Sequence, residues 1–395
     1  MSVVGLFAGI GGFELGLARS GFRTSLMCDV LPESRAVLQA RLPNADYHDD
    51  VKTLRSLPQG TELVCAGFPC QDLSQAGRTA GLVGKRSGLI GEVFRLLRRQ
   101  RVPTVVVENV PFMLQLDGGS AMRSIVDEFE ALGYRWAYRV VDSYGFGLPQ
   151  RRERVYLVAS TRVDPSAVLF ADDQPLERPA SALGRLAHGF YWTEGLGGLG
   201  WAVDAVPTLK NGSTIGIPSP PAILMPDGSL IKPGIRDVER MQGFEADWTA
   251  PAEQVARPSV RWGLVGSAVS VPVAHWLGQR LNDPGVFDPT LEREFATNGK
   301  LPRAACFDGR RRSGVQISVD PVGRRPPPLT LFLQDTEGQQ LLSLKATLGF
   351  LSRTRRAKLK FQPGFIEAVE RHASRMSSSI DSPVSTLQLD LLEAA

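Results

Sequence analysis

Strand-like and helix-like segments alternate over the first 160 residues of this 395-residue chain, and this alternation limits the fold more than any other sequence feature. Short apolar runs typical of buried strands occur at Ser2–Phe7, Thr24–Asp29, Leu63–Ala66 and Thr104–Glu108. Segments with helical periodicity lie between them, for example Pro32–Arg41. The pattern predicts a doubly wound α/β sheet, in which ligands bind at the carboxyl ends of the strands.

The remainder of the chain is predicted to divide into four parts. Residues 161–235 are rich in Gly, Pro and Ser and indicate loops and short strands, whereas residues 236–284 return to helical periodicity. Residues 285–375 are expected to form a second, smaller α+β unit, with strands in the stretches GVQISVD and LTLFLQD. The Ser-rich residues 376–395 are expected to be disordered. Within the helical part, one amphipathic helix is predicted over 265–282.

Charge is unevenly distributed, although the net charge is only +4. Residues 296–375 carry 15 lysines and arginines against 6 acids, which favours a polyanionic partner. The cysteines form neither a CxxC pair nor a disulfide framework, so we expect a protein of the reducing cytoplasm without a bound metal; they are Cys28, Cys65, Cys70 and Cys306. The sequence begins without the basic segment of a secretory signal, and it contains no run of 18 apolar residues.

The stretch LFAGIGGFELGL has the pattern of a strand, a glycine turn and a helix. Gly9, Gly11 and Gly12 would let the backbone approach a ligand closely, and the helix start offers free amides. Asp29 ends the next strand and could bind ribose hydroxyls, while Asp50 follows the third strand and could accept from an adenine amino group. A dinucleotide, S-adenosylmethionine (AdoMet) or a mere tight turn would each account for this pattern.

A second group of residues indicates covalent chemistry. Cys70 follows the strand Leu63–Ala66 in the stretch GFPC, where a thiolate could be presented as a nucleophile. Glu108 ends the next buried strand, and Arg152 and Arg154 occupy alternate positions at the start of another, so they are expected on one face. A thiol, a carboxylate and two guanidinium groups at one sheet edge favour a site that activates an electrophile.

Six stretches resemble, in linear order, the motifs of the DNA (cytosine-5) methyltransferase family of bacterial restriction-modification systems. They cover roughly residues 1–282 and read LFAGIGGF, GFPCQDLSQAG, VVVENVPFML, PQRRERVYLVA, RDVERMQGF and GSAVSVPVAHWL. The resemblance implies that residues 1–160 form a Rossmann-like AdoMet-dependent methyltransferase domain. It also implies that residues 161–235 are a target-recognition region, shorter than is usual for the family, and that the chain has an additional C-terminal extension.

The resemblance implies a mechanism and a set of site residues. Cys70 would add to carbon 6 of a flipped cytosine, Glu108 would hold ring N3, Arg154 the carbonyl oxygen and Arg152 a phosphate near Cys70. The residues expected around AdoMet are Phe7, Gly9, Gly11, Asp29, Val30, Asp50, Val51, Gly67, Pro69, Leu89, Ser267 and Ala268. Two of these depart from the family pattern, because the family usually has asparagine where Ser267 stands and often a bulkier residue where Val30 stands.

Double-stranded DNA is the partner that the resemblance implies. The residues expected to contact it are Gln71, Ser74, Gln75, Gly77, Arg78 and Thr208, joined by the basic C-terminal residues Arg355, Arg356 and Lys358. A cognate restriction or phage-defence protein would act with the enzyme, which we expect to be a monomer of the bacterial cytoplasm.

Three other functions compete with this interpretation. A tRNA cytosine-5 methyltransferase would share the fold and a reduced recognition region, but the CFT tripeptide of that branch is missing, since Cys306 is followed by Phe307 and Asp308. A catalytically silent binding module would not need Cys70 and Glu108 intact. A nicotinamide dehydrogenase would use the glycine turn but not the cysteine.

Overall fold

The computed structural model describes residues 1–69, 88–212, 220–295 and 299–380. The elements of the first part are β1 (Ser2–Leu6), α1 (Gly12–Ala18), β2 (Arg23–Cys28), α2 (Pro32–Arg41), β3 (Asp46–His48), β4 (Thr61–Ala66), α3 (Leu89–Arg99), β5 (Thr104–Asn109), α4 (Ser120–Ala131), β6 (Arg135–Asp142), β7 (Gln150–Arg151), β8 (Glu153–Ser160) and α5 (Pro165–Phe170).

The remaining elements follow in chain order. They are β9 (His188–Phe190), β10 (Ala202–Val203), β11 (Val206–Pro207), β12 (Ala222–Leu224), β13 (Leu230–Lys232), α6 (Ile235–Arg240), α7 (Val260–Ser267), α8 (Val271–Asn282), β14 (Glu292–Glu294), β15 (Ala304–Phe307), β16 (Arg312–Val315), α9 (Leu329–Phe332), β17 (Gln340–Leu341), α10 (Leu344–Arg356) and α11 (Phe365–Ile380). No helix within these described residues is both long enough and apolar enough to cross a membrane.

A ten-stranded mixed sheet organises the described part of the chain, in the order β14-β16-β15-β6-β8-β5-β4-β1-β2-β3. Five neighbouring strands are parallel to one another, in the order β5, β4, β1, β2 and β3. On the other side of β5, the strands β8, β6, β15, β16 and β14 each pair antiparallel with the strand before them. Helices cover both faces, with α3 and α4 packed in one apolar cluster and α1, α5 and α8 in the other. The predicted doubly wound α/β fold is therefore confirmed.

Strand order reverses beside β1, and this reversal positions the site. The chain runs from β1 outward through β2 and β3, then returns to place β4 on the other side of β1. In such sheets the crevice outside the carboxyl ends at the reversal accepts the ligand. The loops that follow β1, β2, β4 and β5 therefore meet at one edge.

A second sheet carries the region expected to recognise the target. Its five antiparallel strands have the order β10-β9-β12-β13-β17, so its last strand comes from a segment about 110 residues beyond β13. Helices α10 and α11 pack on it through an aromatic cluster in which the rings of Phe350 and Phe365 lie 5.2 and 5.1 Å from that of Phe190. Burial of these rings supplies the apolar core that the short strands could not build alone.

The C-terminal region thus differs from the separate α+β unit expected for residues 285–375. Strand β15 pairs with β6, so β14, β15 and β16 extend the ten-stranded sheet. In contrast, β17, α10 and α11 belong to the five-stranded sheet. The stretch LTLFLQD is not a strand, since Leu329–Phe332 is helical. The helix expected over 265–282 is two helices, separated by extended backbone at Ala268 and Ser270. The tail expected from residue 376 is helical as far as Ile380, and 381–395 lie outside the described residues.

Candidate active site

The first strand delivers the glycine loop to the carboxyl edge of the sheet. Phe7 and Gly9 have left-handed backbone conformations, with φ of 58° and 57°, so the chain turns sharply as soon as β1 ends. Among the described residues, no atom lies within 4 Å of the position that a Cβ would take at Gly9, so this face of the loop is open. At Gly12 the reverse holds, because a Cβ would clash with the Val269 carbonyl.

Asp29 braces this loop from the end of β2. The Gly9 N–H donates to its Oδ2 at 2.8 Å, and the Leu31 N–H donates to its Oδ1 at 3.0 Å. Burial raises the pKa of Asp29, and these two backbone hydrogen bonds oppose the rise. Val30, beside it, is 68% exposed and forms an apolar rim. An ionised carboxylate retains further lone pairs, so Asp29 could still accept from two ribose hydroxyls.

The other predicted cofactor residues border the same edge. Asp50 is half-buried and accepts from the Lys52 N–H at 2.9 Å, while Val51 is buried in the core. After β4, a Cβ on Gly67 would lie 3.6 Å from Glu108 Oε2, so this loop passes directly over the carboxylate.

Four further cofactor residues flank these loops. Pro69 is exposed and Leu89 half-buried, one on each side of the undescribed residues 70–87. Ser267 is exposed, whereas Ala268 is buried and its carbonyl accepts a hydrogen bond from Arg152. An open glycine loop and acids after two strands together fit a nucleoside cofactor.

Glu108 and Arg154 form an ion pair at the ends of two neighbouring antiparallel strands. The Arg154 Nε lies 3.1 Å from Glu108 Oε1, and both side chains are nearly excluded from solvent. Burial raises the pKa of Glu108, while the charges of Arg154 and Arg152 lower it. Because these effects oppose each other, the carboxyl group can accept a hydrogen bond from a polar ring placed over it or donate one to that ring.

Asn109, which the sequence analysis gave no role, positions the loop that leads to Cys70. Its Nδ2 donates to the Phe68 carbonyl at 3.0 Å, and its Oδ1 accepts from the Val110 N–H at 2.8 Å. The end of β5 therefore fixes the backbone two residues before Cys70. Cys70 itself lies outside the described residues, as do the predicted DNA contacts Gln71, Ser74, Gln75, Gly77 and Arg78.

Arg152 differs from the phosphate contact expected of it. Its guanidinium is 2% exposed and donates to the carbonyls of Leu209 at 3.2 Å, Gly266 at 3.2 Å and Ala268 at 2.7 Å. Burial lowers its pKa to about 9, with the neighbouring Arg154 charge adding to the effect. Arg152, the residue before β8, therefore joins this strand to the segments of Leu209 and of Gly266–Ala268. Its guanidinium is buried among these carbonyls and is not exposed to a phosphate.

Two further side chains in this region escaped the sequence analysis. Gln150 joins the Leu209 segment to the end of α6, because its Nε2 donates to the Met241 carbonyl at 3.0 Å and its Oε1 accepts from the Leu209 N–H at 3.0 Å. Glu14, on α1, is 1% exposed and lies under the glycine loop. The signal for Glu14 was an acid on the helix face that Phe13 and Leu17 bury, where periodicity predicts an apolar residue.

The predicted DNA-contacting residues in the described part of the chain have mixed environments. The Thr208 hydroxyl donates to the Arg151 carbonyl at 2.7 Å, and Arg355 forms an exposed ion pair of 3.2 Å with Glu370. Arg356 and Lys358, near the end of α10, are exposed. Arg353, on the same helix, instead donates to the carbonyls of Glu194 at 2.9 Å and Trp192 at 2.7 Å.

Comparison with known proteins agrees with this geometry. The family model described as C-5 cytosine-specific DNA methylase matches residues 1–179. The chain is 42% identical over 393 residues to the Type II methyltransferase M2.BsuMI of Bacillus subtilis, covering 96% of this chain and 100% of that protein. It is 27% identical over 297 residues to the Type II methyltransferase M.NgoBI of Neisseria gonorrhoeae, covering 68% and 89%.

A solved structure shares the fold at low sequence identity. The crystal structure of the S. pombe Dnmt2 methyltransferase aligns with a TM-score of 0.50 and 15% identity, over 71% of this chain and 98% of that one. The similarity to M2.BsuMI carries more weight, because it is 42% identical and extends over 96% of this chain. The chain belongs to the C-5 cytosine-specific DNA methylase family.

Proposed function

We propose that this protein transfers a methyl group from AdoMet to carbon 5 of cytosine in double-stranded DNA, as the methylase of a restriction-modification or phage-defence system. The observation that carries the proposal is the buried Glu108–Arg154 pair, 3.1 Å apart, beneath the loop that leads into Cys70 and beside the open glycine loop. This arrangement suits a base that has left the duplex, since a stacked base could not reach it.

Each residue has a distinct part in the proposed reaction. The Cys70 thiolate forms a bond to carbon 6, which makes carbon 5 nucleophilic, and loss of the carbon 5 proton later releases the thiolate. Glu108 holds ring N3, and its raised pKa favours the protonated form that can donate this hydrogen bond. Arg154 holds the carbonyl oxygen. When bound, AdoMet supplies an electrophilic methyl group.

The cofactor would lie in the cradle at the reversal of strand order. Asp29 would accept from ribose hydroxyls and Asp50 from the adenine amino group, with Val30 against the ring and the open face of Gly9 toward the methionine moiety. Two orphaned oxygens of the buried Glu14 below the same loop are consistent with a cationic ligand.

We further propose that the five-stranded sheet with α10 and α11 is the DNA-recognising unit. Contacts link it to the catalytic edge, because the Leu209 carbonyl binds Arg152, the next residue Lys210 forms an ion pair with Glu194, and the Glu194 carbonyl binds Arg353. Basic residues near the end of α10 would then lie beside DNA held at the active site. We expect a monomer in the bacterial cytoplasm, acting with a cognate restriction or defence protein.

Bisulfite sequencing of DNA from cells expressing the protein tests the activity and gives its target sequence. Duplexes containing that target with 5-fluorocytosine should then form an adduct that survives denaturation, because fluorine cannot leave as a proton does. Cys70→Ser should abolish both the methylation and the adduct. Cys306→Ala, which alters a buried thiol in β15, is the matched control and should retain both.

Two results would contradict the proposal. One is persistent DNA methylation by Cys70→Ser, which would remove the covalent step. The other is 5-methylcytosine in tRNA of the expressing cells with none in their DNA, which would assign the fold to the RNA substrate.

A further inference from the structure

Glu14 is a buried acid that the proposed chemistry does not use. It is 1% exposed, and neither carboxylate oxygen has a hydrogen-bond partner among the described residues. Its side chain fills the space beside the backbone of Gly5 in β1, where a Cβ would overlap Oε1. Oε2 lies 3.9 Å from the position of a Cβ on Gly11, so the carboxyl group sits directly beneath the glycine loop.

The fold alone does not explain an acid at this position. Its surroundings are the apolar cluster of α1, α8 and the sheet, where an apolar side chain would pack without desolvating a carboxyl group. Burial raises the pKa of Glu14 to about 7 against the lowering effect of its own backbone N–H, and the charge of Asp29 adds to the rise. The acid is therefore close to half-protonated near neutral pH, and a nearby positive charge would ionise it.

Few other titratable groups act on this carboxyl group. Asp29 approaches from the end of β2, and Cys65 in β4 is a buried thiol whose own pKa the charge of Glu14 raises. From α8, His275 binds the Ser20 hydroxyl beyond the far end of α1, and from β8 the ring of Tyr156 meets Phe13 edge to face. Among the described residues no cation acts on Glu14, so a positive ligand would be its counter-charge there.

We infer that Glu14 senses the charge of the cofactor, losing its proton when AdoMet binds and regaining one when methyl transfer leaves S-adenosylhomocysteine (AdoHcy). The inference rests on the AdoMet site proposed above. AdoMet carries a sulfonium and an ammonium against one carboxylate, whereas AdoHcy has lost the sulfonium charge with the methyl group. An ionised Glu14 therefore stabilises bound AdoMet more than bound AdoHcy, which favours exchange of product for cofactor.

The direction of the pH effect follows from linkage. The ionised form of Glu14 binds AdoMet more tightly, so the Kd for AdoMet falls as pH rises toward 7 and levels off above it. The fall between pH 6 and pH 8 should reach up to about tenfold for AdoMet and stay within about twofold for AdoHcy.

Isothermal titration calorimetry on the full chain tests the inference directly. Titrations at pH 7 in phosphate and in Tris, whose ionisation enthalpies differ, should show release of about half a proton with AdoMet and almost none with AdoHcy. In Glu14→Gln the release should disappear and the preference for AdoMet over AdoHcy should shrink by about tenfold. The matched control is Glu33→Gln, which neutralises a half-exposed acid on α2 and should behave as wild type.

The possible failures are separable. Equal proton release in wild type and Glu14→Gln would assign the proton to another acid such as Asp29 and overturn the inference. The inference is also overturned if wild type releases no proton when AdoMet binds, or releases as many protons with AdoHcy as with AdoMet. These two results concern wild type alone, so they decide the question even if Glu14→Gln fails to fold. Binding of neither ligand by wild type would overturn the cofactor proposal and this inference with it.

Discussion

The catalytic edge of the ten-stranded sheet and the five-stranded sheet that we propose to recognise DNA (the recognition sheet) use charge in opposite ways. At the edge, Glu108 and Arg152 are buried, and each is held by groups from neighbouring strands or loops. On the five-stranded unit that we propose to recognise DNA, Arg356 ends α10, Lys358 follows it, and both face solvent. Chemistry on a base needs desolvated groups in fixed positions, whereas attraction of a polyanion needs charges that can reach its phosphates. The difference separates residues that should change rate from residues that should change salt dependence.

The largest effect should come from Glu108→Gln. The substitution keeps the size of the side chain but cannot exchange a proton with ring N3, and such support is worth roughly 10²–10⁴-fold. We expect a rate loss in this range in single-turnover methylation, with DNA affinity within a few fold of wild type. A variant as fast as wild type would reduce Glu108 to a partner of Arg154.

Arg152→Met and Arg154→Met should divide stability from catalysis. The first leaves three buried carbonyls without their donor, so we expect it to lose about 3 kcal/mol of unfolding free energy. The second leaves Glu108 buried without its counter-charge, which Glu108 can relieve by taking up a proton, so we expect a loss of activity with a smaller loss of unfolding free energy than for Arg152→Met.

Urea denaturation and filter binding on both arginine variants test this division. Folded Arg152→Met protein should retain the salt slope of wild type, because a buried guanidinium contacts no phosphate. A reduced salt slope with unchanged stability would restore the phosphate contact that the sequence predicted for Arg152.

The smallest effect should come from the basic end of α10. Each phosphate contact contributes about 0.9 to the log–log salt slope of DNA binding, so Arg356→Ser with Lys358→Ser should flatten the slope by up to about 2 units. Adding Arg355→Ser should flatten the salt slope by less than about 0.9 further units, because Arg355 already pairs with Glu370.

Arg310→Ser with Arg311→Ser is the matched control for this surface. Both residues lie in the turn between β15 and β16, beside the start of β6 and so at the opposite edge of the ten-stranded sheet. Equal slopes for the control pair and the α10 pair would show that α10 has no special place on DNA. Truncation at residue 285 would be less informative, since it removes three strands of the main sheet.

The sequence predicted the catalytic half well because its signals are local. Helix α2 has the predicted bounds, and Glu108 lies at the end of its strand beside Arg154 as expected. Arg152 differs from its predicted phosphate contact because its guanidinium binds carbonyls of segments distant in sequence, which no local pattern encodes. Glu14 was missed because a single acid within an apolar pattern carries no motif of its own.

The recognition half was less predictable because its order depends on distant partners. Gln340–Leu341 is too short to be identified as a strand, and it becomes one only by pairing with β13. The stretch LTLFLQD has the alternation of a strand, yet it follows Pro328 and buries Leu329 against α6 and α7 as a single helical turn. Tertiary packing decides such short segments, and local propensity does not.

The late position of β17 has a consequence for synthesis on the ribosome. Domains fold as units while the chain emerges from its amino end. The parallel strands β1 to β5 are available after the first third of the chain, but the recognition sheet lacks its edge strand and both covering helices until residues beyond 340 have emerged. The ten-stranded sheet gains its last strand by residue 315, so the five-stranded sheet that we propose to hold DNA is completed after it, in the last stage of translation.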